Sequence, residues 1–506
     1  MVKVKKNRFW QNTIKKYRKI IPHYTIPETI HDIAAVILQA EKENRRVKAV
    51  GSGHSFSDVA MPDHYLVDLR LLNKVLELPN FIKEEKKDRT LVHVEAGITI
   101  QKFNCEMDDR DLCITNMGGI DEQTLAGAIS TGTHGTGIDL PSLPGLVQSM
   151  VLVTKNGKML RIEPTNGITD PAKHNEIAIE LRQDDDLFYS ALVNLGCFGI
   201  IYSYILKIEE MYYLKETKEC FKWKDIKPKL EDRSIFFEED GTTPIRGVMV
   251  QINPYKTDKD DHTVIVVKHR LLKSKPKRNI NDRKRNWLSS LFGNFPLVPF
   301  SFLVISKKIV RKPSKLPSLL DSSLKSLRDK SFENKGYKVL YQGVEYLKVR
   351  AYDSEFAFDL AFGKNNFIAA IERMFELVEY NQARGFYQSS PMGIRFVNRS
   401  KAYLSPEYAK QVAYIDVPFV CGTPGSDDFL YDYQKIMLDK GGIPHWGKIN
   451  SILNGKPEVI KEYYPELPKW EKVFKEFNEN KTFSNQFSDR LKLGFICVEE
   501  MSDLEV

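Results

Sequence analysis

The stretch TNMGGIDEQTLAGAISTGTHGTGID, residues 115–139, spends six glycines in twenty-five positions. A chain pays conformational entropy for each of them, so its backbone must turn sharply or touch another body closely here. Ser130, Thr131, Thr133 and Thr136 add hydroxyls able to donate to phosphate or ring oxygens. A short helix from Glu122 to about Ser130 would aim its N-terminus, with its partial positive charge, back at Gly118 and Gly119.

Two further segments share this texture. VKAVGSGHSFSD, residues 47–58, reads as the end of a strand followed by a turn whose successive N–H groups can cradle an anion. Its His54 has no evident duty in a purely structural loop, although a solvated histidine in a tight turn would read the same way. NLGCFGIIYSYIL places Gly196 and Gly199 before a strand of Ile200, Ile201 and Ile205. Three glycine-rich sites in about 200 residues suit an elongated, two-headed ligand such as a dinucleotide. None is GxGxxG or a phosphate-binding P-loop, which excludes both of those architectures.

With 506 residues the chain is too long for one ordinary core, and 42% hydrophobic with 28% charged residues is the composition of a globular protein. Its six cysteines form no CxxC pair and no zinc spacing, so reduced thiols in a cytoplasmic setting are expected, with no metal site. The net charge is +8, but residues 268–315 hold fourteen Lys or Arg against the single acid Asp282. The basicity is local, which argues against a general polyanion binder, and no nucleic-acid module accompanies it. Pro296 and Pro299 interrupt the apolar run WLSSLFGNFPLVPFSFLVI, so a spanning helix is not expected there. A solvated basic loop over a buried segment, or a peripheral membrane contact through 270–317, remain the two readings. The basic, aromatic-containing N-terminus lacks a secretory h-region and reads as a solvated lead-in or a membrane-surface helix.

TIPETIHDIAAVILQAEKENRRVKAVGSGHS reads as helix, strand and turn, with Ile30, Ile33, Ala34, Ile37 and Leu38 at helical spacing. TLVHVEAGITIQKF repeats the theme as a strand ending near Glu95 and then a helix, and Asn156–Gly157 marks a hairpin. Past Glu209 the texture shifts to long strands rich in aromatics and charges, such as RGVMVQINPY and GYKVLYQGVEYLKVRAYDSEFAF. The expected division is 1–208, 209–430 with its insertion at about 270–317, and a closing segment 431–506 that includes the helix of LPKWEKVFKEFNENKTF.

The order GSGHSFSD, VEAG, GGIxEQTLAGAISTGTHGTG and LGCFGII resembles the FAD-binding domain of the vanillyl-alcohol-oxidase-type flavoproteins. Within them it is most similar to the branch of L-gulonolactone, D-arabinono-1,4-lactone and alditol oxidases. The match covers about residues 25–210 and resumes in IRFVNRSKAYLSP, GGIPHWGKIN and YYPELPKWEKVFKEFNENKTFSNQF. The resemblance implies an α+β fold: a PCMH-type FAD-binding domain and an α+β substrate (cap) domain built on an antiparallel sheet. It implies oxidation of a CH–OH group of a sugar lactone, polyol or other alcohol by hydride transfer to flavin N5, with oxygen as acceptor. The alternatives are a dehydrogenase serving a quinone or cytochrome, and a catalytically inactive flavin-binding interaction protein.

His54 stands at the position that carries the covalent bond to the flavin 8α-methyl in this branch. The resemblance assigns Gly51, Ser52, Gly53 and Ser55 to the pyrophosphate, and Gly119, Thr124, Gly127, Thr131, Gly132, His134 and Ile200 to the rest of FAD; His134 reads equally as a structural turn residue. Arg395 and Lys448 match an arginine and a lysine of the relatives' active site, and His445 in PHWGK is a candidate proton acceptor. One departure stands out: relatives usually read Glu-x-Arg where this chain has Gly393-Ile394-Arg395. That leaves the substrate open between sugar lactones, polyols and less polar alcohols, with Glu355 or Glu345 as carboxylates that a neighbouring strand could supply.

Overall fold

The computed structural model describes residues 4–257, 260–276, 312–342, 350–361 and 364–497. Most of the basic insertion, and Glu345, lie outside the described residues. Among the described residues no helix is long and apolar enough to cross a membrane.

Chain order sets up the first half. Val4–Gln11 and Arg18–Thr25 form an antiparallel hairpin that continues through Tyr65–Asp68 to Val47–Val50 in a four-stranded sheet. The N-terminal segment is therefore neither a loose lead-in nor a helix. Its alternating side chains pair across the strands, Phe9 opposite Ile20 and Trp10 opposite Lys19. The helix Ile30–Lys42 begins at Thr29, whose side chain accepts from the Asp32 N–H while Asp32 reaches back, a capping box. It buries Ile33, Ala34, Val36, Ile37 and Ala40, whereas Leu38 is half exposed and lies over the hairpin glycine Gly157. That hairpin joins Val147–Val153 to Met159–Glu163 and turns on Asn156 and Gly157, at φ 60° and 65°.

A six-stranded sheet follows, with Ile200–Lys207 between Leu91–Glu95 and Val147–Val153. The expected helix after Glu122 begins later, at Leu125, because Thr124 is the residue that caps it.

From Tyr213 onward the chain builds an eight-stranded sheet. Its order is Ser331–Lys335, Tyr213–Lys222, His262–Leu271, Gly247–Lys256, Met392–Val397, Val412–Val420, Ala351–Asp359 and Ile443–Pro444. All of its pairings are antiparallel. Within the stretch read as one long strand from Gly336, Gly336–Leu340 is instead helical, and Ala351–Asp359 is the strand among its described residues. Gly336, Val339 and Leu340 are buried there, the i, i+3, i+4 spacing of a single helical turn.

The chain's end returns to its beginning. Val47 donates to the Thr482 carbonyl, the Asn485 amide donates to the carbonyls of Val59 and Met61, and Arg490 pairs with buried Asp58. Trp470 of the helix Leu467–Asn478 packs on Phe198, its ring 4.9 Å away. These contacts clamp the glycine-rich loops from behind.

Candidate active site

The three glycine-rich segments converge. A groove is lined by residues 48–55, by Gln123, Thr124, Ala126, Gly127, Ala128, Ser130 and Thr131, and by Asn194–Gly196 with Gly199 and Ile201. Gly51 is required for this convergence, since a Cβ on it would lie 1.9 Å from Thr124 Oγ1. Gly53 sits at φ +69°, where side chains are strained. Of the residues assigned to the cofactor, Gly51, Ser52, Gly53, His54, Ser55, Thr124, Gly127 and Thr131 line the groove.

The others lie elsewhere. Gly119 accepts from Gln342 N–H and packs on that side chain, and Ile200 points into the core beside Val153 and Phe483. Gly132 and His134 sit with a second group of residues, described below.

His54 lies in the groove with its Nε2 3.4 Å from Glu122, a residue also tied to the loop by the Ser52 hydroxyl, which donates to the Glu122 carbonyl. Burial lowers the His54 pKa against the opposing pull of Glu122. A group not foreseen is Lys48. Its ammonium is buried against the groove and donates to the carbonyls of Leu195, Gly196 and Phe483, while burial lowers its pKa. The only sequence signal was a lysine inside a buried VKAV strand.

A dinucleotide fits this groove. Its walls are backbone from three segments, and its glycines leave room for close approach.

Next to it lies a buried cluster of charge that the sequence had scattered over more than 300 positions. His445 N–H donates to the Glu355 carbonyl, and its ring bridges the two parts of the site. Nδ1 accepts from the Gly447 N–H at 3.1 Å, which places the ring proton on Nε2, 3.3 Å from the Gly132 carbonyl. With both nitrogens engaged, burial pushes its pKa down to about 3, so the ring is neutral at pH 7. His134 stacks on Tyr414 at 3.7 Å and places Nε2 3.4 Å from Glu355. Tyr414 in turn donates to buried Glu407 at 2.5 Å.

Lys448 lies 2.8 Å from Asp353 and 3.6 Å from Glu355. Burial opposes its charge, yet Asp353, Glu355 and Asp416 hold its pKa above the ordinary lysine value. Burial would raise Glu355 too, but Lys448 and His134 hold its carboxyl well below the usual range. Asp353 goes the other way: burial raises it, and Glu355 and Asp416 add repulsion that Lys448 does not cancel. Burial likewise raises Asp416 despite Arg395. Arg395 and Lys448 thus face Asp353, Glu355 and Asp416, an excess of one carboxylate when all are ionised. His134, Glu355 and His445 bring their ligand atoms within 4.8 Å of one another, and Lys448 already supplies the positive charge beside them.

The structure therefore brings Arg395, His445 and Lys448 together with His134, and adds Asp353, Asp416 and Glu407, which sequence reasoning did not single out. No local motif marks these acids; strand register aligns Asp353 and Asp416, and Glu407 comes from the turn between two strands.

This fold and groove accord with a PCMH-type FAD-binding domain. Residues 21–163 match the FAD binding domain, and residues 261–491 match D-arabinono-1,4-lactone oxidase. The chain is 26% identical to L-gulono-1,4-lactone dehydrogenase of Mycobacterium tuberculosis over 465 residues, 92% of this chain and 94% of that one. It is 25% identical to L-gulonolactone oxidase of Bos taurus over 492 residues, 95% and 98% of the two chains. Among solved structures, cholesterol oxidase from B. sterolicum shares the fold, with a TM-score of 0.73 at 16% identity over 97% of each chain. The chain is an FAD-linked oxidoreductase, and the relatives it resembles are aldonolactone oxidases and dehydrogenases.

Proposed function

We propose that the protein oxidises a sugar-derived aldonolactone, with the substrate held between the groove and the charged cluster of the eight-stranded sheet. The observation that carries this reading is the meeting of the two at Thr131 to His134 and Phe56 to Lys448. Phe56 N–H donates to the Gly447 carbonyl, Lys448 lies over the Phe56 ring, and His445 holds Gly132. Relatives named for gulonolactone and arabinonolactone supply the substrate class.

Bound FAD supplies the hydride acceptor for the alcohol carbon. The remaining work belongs to side chains. Alcohol oxidation also releases the hydroxyl proton, and a cluster with one carboxylate in excess, its Asp353 pKa raised, can take it up. Arg395 steadies the hydroxyl oxygen as negative charge develops on it. Lys448 fixes Asp353 and Glu355, and neutral His445 ties the Lys448 loop to Gly132, a positioning role rather than proton acceptance. The buried setting of these groups strengthens each interaction.

His54 is the residue we assign to the covalent bond with the flavin ring. Its lowered pKa leaves an uncharged imidazole, and Glu122 orients it. Oxygen is the acceptor we assign to the reduced flavin, and the cytoplasm the compartment, in keeping with six cysteines scattered along the chain with no CxxC pair.

Anaerobic mixing with L-gulono-1,4-lactone and D-arabinono-1,4-lactone should bleach the flavin absorbance, and admission of air should restore it. Acid precipitation should leave the parent pellet yellow and the His54→Ala pellet colourless. A flavin that no aldonolactone bleaches would break the substrate reading, and equal release from both pellets would break the covalent one.

A further inference from the structure

Most buried charges of the molecule are spent on a partner. Lys48 is spent on three carbonyls, Arg161 on Glu176, and Arg490 on Asp58. Two half-buried groups in the candidate site are not. Among the described residues, neither Arg395 nor Asp416 makes a side-chain hydrogen bond or an ion pair. Polar groups inside a fold are nearly always paired, so such exceptions need a reason.

Register explains how they come to stand together. Gln251 pairs with Gly393, Gly393 with Asp416, and Asp416 with Glu355, so four neighbouring strands set these residues in one row. Directly opposed residues share a face of the sheet. Arg395, two positions from Gly393, shares that face and lies diagonal to Asp416. The row has one gap, at Gly393. A Cβ built there would lie 2.1 Å from Asp416 Oδ1, so the Asp416 carboxylate leans over the glycine and fills its place. Asp353, two residues from Glu355 on the same face, has a buried Oδ1 without a partner.

We propose that Asp416, leaning over Gly393 beside Arg395, is the carboxylate that binds a substrate hydroxyl and selects polyhydroxylated lactones over less polar alcohols. An unpaired carboxylate next to an unpaired guanidinium suits a ligand that donates and accepts at once, as neighbouring hydroxyls do. The carboxylate missing at position 393 is thereby supplied from the adjacent strand, and Gly393 is what gives it room. The assignment rests on the aldonolactone reading above and adds the residue that discriminates the substrate.

The test compares flavin reduction by whichever of L-gulono-1,4-lactone and D-arabinono-1,4-lactone serves the parent with reduction by the monodeoxy analogues of that lactone. Asp416→Asn should raise KM for the full lactone by about tenfold to a hundredfold, the scale of a hydrogen bond to a charged group. For one deoxy analogue the substitution should change KM little, because the bond is already missing. Gly393→Ala keeps the carboxylate but pushes it aside, and should raise KM in the same sense. The relocated pair Asp416→Gly with Gly393→Glu should recover preference for the full lactone. Bound flavin and the unfolding midpoint, measured on each variant, separate misfolding from lost recognition. An Asp416→Asn protein with parental flavin content and unchanged KM overturns the proposal alone, as does an equal loss on every analogue. A parent that no lactone reduces overturns the aldonolactone reading and this assignment with it.

Discussion

The glycine-rich groove and the charged row of the eight-stranded sheet lie side by side and are built on opposite principles. The groove is made of backbone. Its segments 47–58, 115–139 and 194–206 are each continuous in sequence, and their glycines permit contacts that any Cβ would block, as Gly51 against Thr124 shows. The row is made of side chains drawn from four strands, and its one glycine serves to leave a hole for a neighbour's carboxylate. In the first case local sequence creates the feature; in the second only cross-strand register does.

That contrast can be broken most forcefully at Lys448. Replacing it with methionine leaves Asp353 and Glu355 buried without their cation, and loss of one partner of a buried pair costs about 3–5 kcal/mol. The urea midpoint should fall accordingly, and flavin reduction by substrate should slow. A stable Lys448→Met protein would mean that the row is far wetter than its burial indicates.

The groove should respond differently. Gly51→Val drives a branched side chain into Thr124, an overpacking worth about 1–3 kcal/mol. The damage falls where we place the cofactor, so retained FAD should drop while the far sheet stays folded. Flavin absorbance per protein after gel filtration checks this, and parental retention would show that the loops can part freely. The smallest effect belongs to a turn remote from both halves. Gly157→Ala strains a residue at φ +65° and should cost about 1 kcal/mol in thermal unfolding, with flavin content and KM unchanged. A change in KM there would mean that the hairpin communicates with the site.

Much of the groove was legible beforehand. Gly51 to Ser55, Thr124, Gly127 and Thr131 all line it, because loop glycines act within a few residues of where they stand. Gly119, Gly132, His134 and Ile200 were assigned to the same ligand by their place in the motif, yet their side chains or carbonyls face other neighbours. A motif gives order along the chain, whereas the direction of each side chain depends on what packs across from it. His445 illustrates the same limit. PHWGK marks it as chemistry-bearing, but the two backbone groups that occupy its ring nitrogens, at Gly132 and Gly447, appear only on folding.

By itself the sequence determined the strand–turn–helix layout of the first half, the convergence of three glycine-rich loops on a dinucleotide-sized ligand, and the family resemblance that names the ligand. It also exposed the empty position at Gly393. Only the tertiary structure decided what fills that position. Asp416 lies twenty-three residues further along the chain, and its approach follows from the antiparallel register of Met392–Val397 with Val412–Val420. Hydrogen-bond register between strands is a collective outcome of packing on both faces of a sheet, so no local stretch of sequence encodes it.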